Sequence, residues 1–254
     1  MTNTTTVLVT GASGTLGAAV LSRLAGAGGD LVVRPMSRRA RSGWVAADLA
    51  TGTGLPEAVR GADAVVHLAS GAGRNSAGID VEGTGRLVAA ARAAGVRHLL
   101  YVSIVGVDRV PISYYRAKLA AERIVAAGEV PCTILRATQF PQLIDRLLTA
   151  SSRLGVLVVD RRVLVQPVHP ADVAERISSL LGAGPAGAVE FGGPEVHSFG
   201  ELAGAWRRAR GVRRPVLPIR VPGRAGRELR AGALTTAARP AGTRTWGDYL
   251  AGSA

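Results

Sequence analysis

An apolar, β-branched run meets three glycines in Val7-Leu8-Val9-Thr10-Gly11-Ala12-Ser13-Gly14-Thr15-Leu16-Gly17-Ala18-Ala19-Val20, and an amphipathic stretch follows. That order predicts a strand, a tight turn and a helix. Glycine lets the backbone approach a ligand where a Cβ would clash. The start of the helix then offers unpaired N–H groups and a partial positive charge to a phosphate. The spacing is G-x-x-G-x-x-G rather than the commoner G-x-G-x-x-G. Because the chain holds 33 glycines, the triplet means little by itself. Its place directly after a strand carries the inference, since α/β folds bind nucleotides at such a turn. Gly11, Ser13, Gly14, Thr15, Leu16 and Gly17 are the expected cradle.

The rest of the chain repeats the alternation. Predicted strands at Leu31–Met36, Trp44–Ala47, Ala64–Ala69, Arg97–Val105 and Cys132–Ala137 alternate with helices at about Gly17–Ala27 and Gly83–Ala94 and from Pro111 onward. This gives an α/β chain with a doubly wound parallel sheet. Residues 1–140 read as a dinucleotide-binding domain, and residues 141–254 as a smaller α/β substrate lobe packed on it as one structural unit. In the lobe we expect helices over Leu143–Leu154, Val173–Leu181 (capped by Asp172) and Ser198–Arg210, the last with Ser198 and Glu201 at capping-box spacing. Short strands are expected at Val163–Val168 and Ala188–Phe191, an extended stretch at Pro215–Val221 and a terminal helix around Thr243–Leu250.

Two places along the first domain bear on which dinucleotide would bind. After the second strand, Ser37-Arg38-Arg39 offers no acid for a ribose 2′-hydroxyl and two guanidinium groups for a 2′-phosphate. NADP(H) is therefore expected over NAD(H). Asp48-Leu49, after the third strand, could meet the adenine amino group or cap a turn. Ala69-Ser70-Gly71, continuing into Ala72 and Gly73, is a loop on the expected cofactor side, while His67 lies inside a strand and reads as a packing histidine.

Chemistry is suggested further on. Tyr114 and Lys118 are four residues apart on a predicted helix and share a face. An ammonium beside a phenol would lower the phenol pKa and ready it for proton transfer to a carbonyl oxygen. Ser103, at the end of the preceding strand, could hydrogen-bond the same oxygen. Lys118 is the only lysine among 31 basic residues, and a compact ammonium with a shiftable pKa is not replaceable by guanidinium. Tyr115, one position on, is expected to pack or to line a substrate pocket.

The segment Thr10 to Gly17, with Ser103 and Tyr114-x-x-x-Lys118, resembles the short-chain dehydrogenase/reductase superfamily. Asp80-Val81-Glu82-Gly83-Thr84, Tyr101 to Asp108 and Leu135-Arg136-Ala137-Thr138-Gln139-Phe140 resemble its NmrA-like branch. The resemblance implies a Rossmann-like domain, a nicotinamide cofactor and a Ser103-Tyr114-Lys118 catalytic site, with Lys118 also on the cofactor ribose. One departure stands out: the usual Asn-Ala-Gly after the fourth strand is Ala69-Ser70-Gly71. The expected activity is NADP(H)-dependent reduction of a ketone or quinone-type carbonyl in a small aromatic or polyketide-like metabolite. Phe140 and Leu143 are expected on the substrate side. The same branch contains non-catalytic NAD(P)-sensing regulators that bind a protein partner, and the scaffold also serves epimerases and dehydratases.

Composition bounds the remaining classes. The single cysteine, Cys132, excludes an internal disulfide and any cysteine-clustered metal site; no metal is expected. No apolar run reaches membrane-spanning length and no leader-like segment is visible, so a cytoplasmic protein, monomeric or homodimeric, is expected. The net charge of +13 is concentrated in an arginine-rich stretch from Trp206 to Arg244, with eleven Arg and one acid, Glu228. No nucleic-acid motif accompanies it, so a solvated face is expected rather than a nucleic-acid partner.

Overall fold

In the computed structural model the described residues are 4–26, 28, 31–71 and 78–252. Predicted features at Ala27, Ala72, Gly73, Ser253 and Ala254 lie outside them. The chain forms two compact units. One comprises residues 1–103, 113–136 and 173–189; the other comprises 104–112, 137–172 and 190–254. The first unit thus takes in a segment from well beyond residue 140.

Among the described residues a seven-stranded sheet runs in the order β3-β2-β1-β4-β5-β6-β9. Its strands are β1 (Thr5–Thr10), β2 (Leu31–Ser37), β3 (Val45–Ala46), β4 (Ala64–His67), β5 (His98–Ile104), β6 (Cys132–Ala137) and β9 (Gly187–Phe191). The pairs β1–β2, β2–β3, β1–β4 and β4–β5 are parallel, with Val7 opposite both Val33 and Ala64. Such strands need a crossover, and helices supply it: α1 (Thr15–Ala25), α2 (Leu55–Val59), α3 (Thr84–Ala93), α4 (Ser113–Ala127) and α6 (Pro170–Ala183). This is the Rossmann-like doubly wound arrangement expected from the alternation.

The chain leaves β1 toward β2 and β3 on one side, then returns to β4 on the other. The carboxyl ends of β1 and β4 therefore flank the switch point, where open α/β sheets hold ligands. Buried on both faces, β1 and β4 read as apolar runs rather than as alternating strands. Leu8, Val65 and Leu99 are sealed in a core with Leu55, Leu87 and Val125.

Several boundaries differ from the sequence expectation. The third strand is two residues rather than four, and the fourth ends at His67, beyond which Thr10 Oγ1 accepts from the N–H groups of Leu68 and Ala69. Before α3, residues Gly78–Gly83 form a π-helical turn that the pattern did not reveal. Such turns lack a period visible in sequence and occur often at functional sites.

The second unit has its own core, in which Ile144, Leu148, Leu157, Leu202, Trp206, Trp246 and Leu250 pack together. It contains α5 (Pro141–Arg153), α7 (Phe199–Ala209), α8 (Gly223–Arg230) and α9 (Trp246–Ala251). Two small sheets pair β7 (Leu157–Val159) with β11 (Val216–Pro218) and β8 (Leu164–Val165) with β10 (His197–Ser198). The capping box of Ser198 and Glu201 is present as predicted, and Thr245 with Asp248 forms a second. The Val163–Val168 strand shrinks to β8. Asp172 lies in the first turn of α6, and its carboxylate accepts the N–H groups of Thr243 and Arg244 and pairs with the Arg244 guanidinium. It ties down the C-terminal segment rather than capping the helix.

Candidate functional site

The first unit carries the site residues expected at the glycine turn and on α4. Gly11 follows β1 with φ +66°, a left-handed conformation that glycine adopts freely. A Cβ there would lie 2.6 Å from the Ala69 backbone nitrogen, on the far side of the switch point. A Cβ on Gly17 would strike the Gly11 carbonyl oxygen. These two glycines let the turn close onto both β4 and its own helix. Gly14 is the N-cap of α1, and no side chain caps that helix start. Ser13, Gly14 and Thr15 are exposed while Leu16 and Gly17 are buried. An open, uncapped helix start beside a tight backbone crossing fits a pyrophosphate.

Arg38 and Arg39 are exposed after β2, and Ser37 Oγ donates to the Arg39 carbonyl at 2.5 Å. Asp48 Oδ1 accepts from Ala50 N at 2.9 Å, a turn-capping contact that leaves Oδ2 free of that bond. Leu49 beside it is buried.

His67 is a core residue, as its position suggested. Thr84 Oγ1 donates to the Asp80 carbonyl at 2.7 Å, so it accepts from His67 Nε2 at 3.0 Å. Nδ1 is then left to accept from Thr10 Oγ1 at 2.7 Å. Burial, with the Lys118 charge adding to it, pushes the His67 pKa down to about 3. The ring is a neutral strut joining β1, β4 and α3.

Tyr114 and Lys118 occupy one face of α4. Lys118 is 4% exposed. Its ammonium donates to the Val102 carbonyl at 3.0 Å, stands 4.4 Å from the centre of the Tyr101 ring and lies 3.9 Å from Asp80 Oδ1. Burial lowers its pKa to about 8, opposed by the charges of Asp80 and Glu122. Tyr114 is 37% exposed, and its hydroxyl lies 3.2 Å from Ser70 Oγ. Its pKa is raised, by burial and then by the Asp80 charge, with the Ser70 hydroxyl opposing. The expected lowering by Lys118 is corrected here: the ammonium is committed to Val102, Tyr101 and Asp80, and the phenol faces Ser70.

Ser103, at the carboxyl end of β5, is 3% exposed, and its Oγ has no hydrogen-bond partner among the described residues. A buried hydroxyl without a partner is uncommon and suits a group that a ligand satisfies. Tyr115 is buried, with its ring 6.1 Å from that of Tyr114 and its pKa pushed up to about 12, chiefly by burial. It packs. In the second unit Phe140 is the N-cap of α5 and Leu143 is 41% exposed on that helix.

The sequence reading left two residues without a role. Asp80, on the π-helical turn, is 1% exposed. Its Oδ2 accepts from Gly71 N at 3.2 Å, and the Lys118 ammonium lies 3.9 Å from its Oδ1. Burial raises its pKa, opposed first by the Lys118 charge and then by hydrogen bonding, as from Gly71. Tyr101, on β5, is fully buried beneath the Lys118 ammonium, with its hydroxyl unpartnered. An acid flanked by two apolar residues, Ile79-Asp80-Val81, was the available signal for the first.

Among the described residues, no helix is long and apolar enough to cross a membrane, and no group of three or more His, Cys, Asp and Glu could hold a metal ion.

Comparison with known proteins agrees with this geometry. A profile of the NAD(P)H-binding family matches residues 11–183. A Streptomyces griseus (4-alkanoyl-5-oxo-2,5-dihydrofuran-3-yl)methyl phosphate reductase is 31% identical over 202 residues, covering 74% of this chain and 68% of that protein. An uncharacterised Mycobacterium tuberculosis protein is 28% identical over 225 residues, covering 85% of this chain. The chain spans only about a quarter of that relative's length (24%). In structure, the Escherichia coli NADPH-dependent quinone oxidoreductase complexed with NADPH superposes with a TM-score of 0.79, at 17% identity, over 97% of this chain and 99% of that one.

Proposed function

Because the chain belongs to the NAD(P)H-binding family, we propose that it is an NADP(H)-dependent oxidoreductase that reduces a ketone or quinone-type carbonyl of a small molecule. The observation that carries this reading is Tyr114 and Lys118 on one face of α4, the phenol partly exposed beside Ser70 and the ammonium buried beside Asp80, in the same unit as an open, glycine-lined helix start.

Gly11, Gly14 and Gly17 would admit the pyrophosphate to the α1 N-terminus, and Arg38 and Arg39 would meet a ribose 2′-phosphate. Bound nicotinamide would supply the hydride. Tyr114 holds a proton on a hydroxyl that is partly exposed and so within reach of a small molecule. Its raised pKa keeps that proton in place at neutral pH, the state a reductase requires of its donor. Ser103 Oγ is available to donate to the same carbonyl oxygen. Lys118 lies on the same face of α4 as Tyr114, with its ammonium held by Val102 and Asp80. The related furanone phosphate reductase makes an oxygen-rich carbonyl compound a sensible first probe.

The test is a titration with NADPH and NADH, followed by NADPH-oxidation assays on a panel of ketones, quinones and furanones. Tyr114→Phe should bind NADPH within about twofold of the wild type and lose roughly two to four orders of magnitude in turnover. Unchanged turnover would remove Tyr114 from its role.

A further inference from the structure

The second unit carries five of the ten large hydrophobic side chains that stand exposed among the described residues: Leu147, Leu154, Val158, Leu217 and Ile219. Scattered singly, such side chains need no explanation, but a contiguous group marks an interaction surface. These five are grouped. Helix α5 is apolar on two sides. Ile144 and Leu148 enter the core. Helical spacing sets Leu147, Ala150 and Leu154 in a second, exposed stripe, bordered by Arg146 and Arg153 on one side and Ser151 on the other. Ser151 joins that stripe to the neighbouring β7–β11 ribbon: its hydroxyl accepts from Val158 N at 2.7 Å and donates to the Val156 carbonyl at 2.9 Å. In β7, Leu157 and Val159 face the core, so Val158 faces outward, and its register partner on β11 is Leu217. Ile219, two residues on, is exposed, and its N–H donates to the Val159 carbonyl at 2.9 Å.

Charge of one sign borders this face. Arg153 lies on the α5 side, and Arg213, Arg214 and Arg220 lie at the two ends of β11. All four are exposed, and among the described residues none makes an ion pair. The acids on these segments are occupied elsewhere. Asp145 accepts from Trp206 Nε1 and the Tyr249 hydroxyl, and Asp160 is buried against Arg230.

Charge and composition together narrow what can cover such a face. A second copy of this chain would bring arginine against arginine across a two-fold contact, with Asp145 and Asp160 already committed. Protein partners are usually gripped by aromatic anchors. Here Trp206 and Trp246, the tryptophans of this unit, are buried in its core, and the exposed face is aliphatic. Aliphatic side chains bordered by arginine suit a phospholipid surface. The side chains enter the acyl boundary, the arginine stems lie along it, and the guanidinium forks meet lipid phosphates. We propose that the outer face of α5 and the β7–β11 ribbon docks this protein peripherally on an anionic phospholipid surface. Such a contact needs no spanning helix, and it is independent of the reductase reading.

The test is flotation of the full chain with vesicles of phosphatidylcholine alone or mixed equally with phosphatidylglycerol. Binding to the mixed vesicles should exceed binding to phosphatidylcholine by about tenfold or more at low salt, and should weaken as salt rises. Arg213→Gln with Arg220→Gln should lower the partition about ten- to thirtyfold. The charge-matched pair Arg60→Gln with Arg123→Gln, exposed in the first unit, should lower it less than about threefold. Leu147→Gln with Leu154→Gln leaves the charge unchanged and should lower it about tenfold or more. Circular dichroism checks that each variant is folded; should the leucine pair fail, Leu154→Gln alone decides, at a position 80% exposed. Absence of binding, or equal binding to the two vesicle types, would overturn the proposal. Equal losses for the two arginine pairs would reduce the effect to net charge, and an undiminished partition in the leucine variant would remove the apolar face from it; either overturns it. So would a dimer in sedimentation that the leucine variant dissolves, which assigns the face to a second copy. Retention on polyglutamate without vesicle binding, lost in the same variants, would assign it to an acidic protein instead.

Discussion

Gly11 and Ala69 approach so closely across the switch point that a Cβ on Gly11 would lie 2.6 Å from the Ala69 backbone nitrogen. Backbone, not a flexible side chain, is in the way, and φ at Gly11 is +66°. Gly11→Ala combines a left-handed residue with an overpacked crossing. It should cost about 2–4 kcal/mol of stability in urea denaturation and abolish measurable NADPH binding. Wild-type affinity in a folded Gly11→Ala protein would show that the cradle lies elsewhere.

The two arginines after β2 should decide between the dinucleotides. Arg38→Ala together with Arg39→Ala removes two potential charge-assisted bonds to a 2′-phosphate. NADPH affinity should fall by about ten- to a hundredfold, with NADH affinity unchanged, as read by fluorescence titration. An equal loss for both would assign these side chains to general folding or charge.

His67 gives a pH dependence with a definite sign. Its pKa falls from 6.5 to about 3 on folding. Between those values the unfolded chain binds a proton that the folded chain refuses, so stability declines as pH falls. The contribution is fully present above about 6.5 and shrinks by about 1.4 kcal/mol per pH unit below it. His67→Gln, which can still bond to Thr10 and Thr84, should show a flatter decline between pH 6 and 4 in chemical denaturation. Equal slopes for the two proteins would mean that another group controls the acid limb.

Asp172 is a fourth target. It is 5% exposed and holds Thr243 N at 2.9 Å and Arg244 N at 3.0 Å, besides pairing with the Arg244 side chain. Asp172→Ala removes the shared acceptor of those donors and should cost about 1–2 kcal/mol. Hydrogen exchange should rise first around residues 243–245 and α9. Unchanged protection there would dismiss the acid as a tether.

How much of this was written plainly in the sequence depends on the range over which each signal acts. The glycine turn, the parallel strands and the Ser198 capping box arise from neighbours within a few positions, and all were legible. So was the shared face of Tyr114 and Lys118, which needs only the helical period. What Lys118 touches was not legible. Its nearest polar neighbours, Val102 and Asp80, are 16 and 38 residues away along the chain, and whether an ammonium lowers or ignores a phenol depends on which partners reach it first. Asp80 shows the same limit: its immediate neighbours Ile79 and Val81 are apolar, and nothing local says that the Gly71 N–H and the Lys118 ammonium will meet there. In the second unit, Asp145 accepts from Trp206 Nε1 at 2.6 Å and from the Tyr249 hydroxyl at 3.2 Å, 61 and 104 residues distant. Such a hub ties α5 to α7 and α9 over distances that no local periodicity announces.

The burial of Lys118 has one practical consequence. A reagent that acylates side-chain amines finds a single target in this chain, and that target sits 4% exposed beneath Val102 and beside Asp80. Its rate of modification is therefore a footprint of how often the cluster opens. Mass spectrometry of one peptide would follow that opening in the free protein and with NADPH added, with no background from other lysines. The chain carries its own single-site reporter at the point where its chemistry is expected.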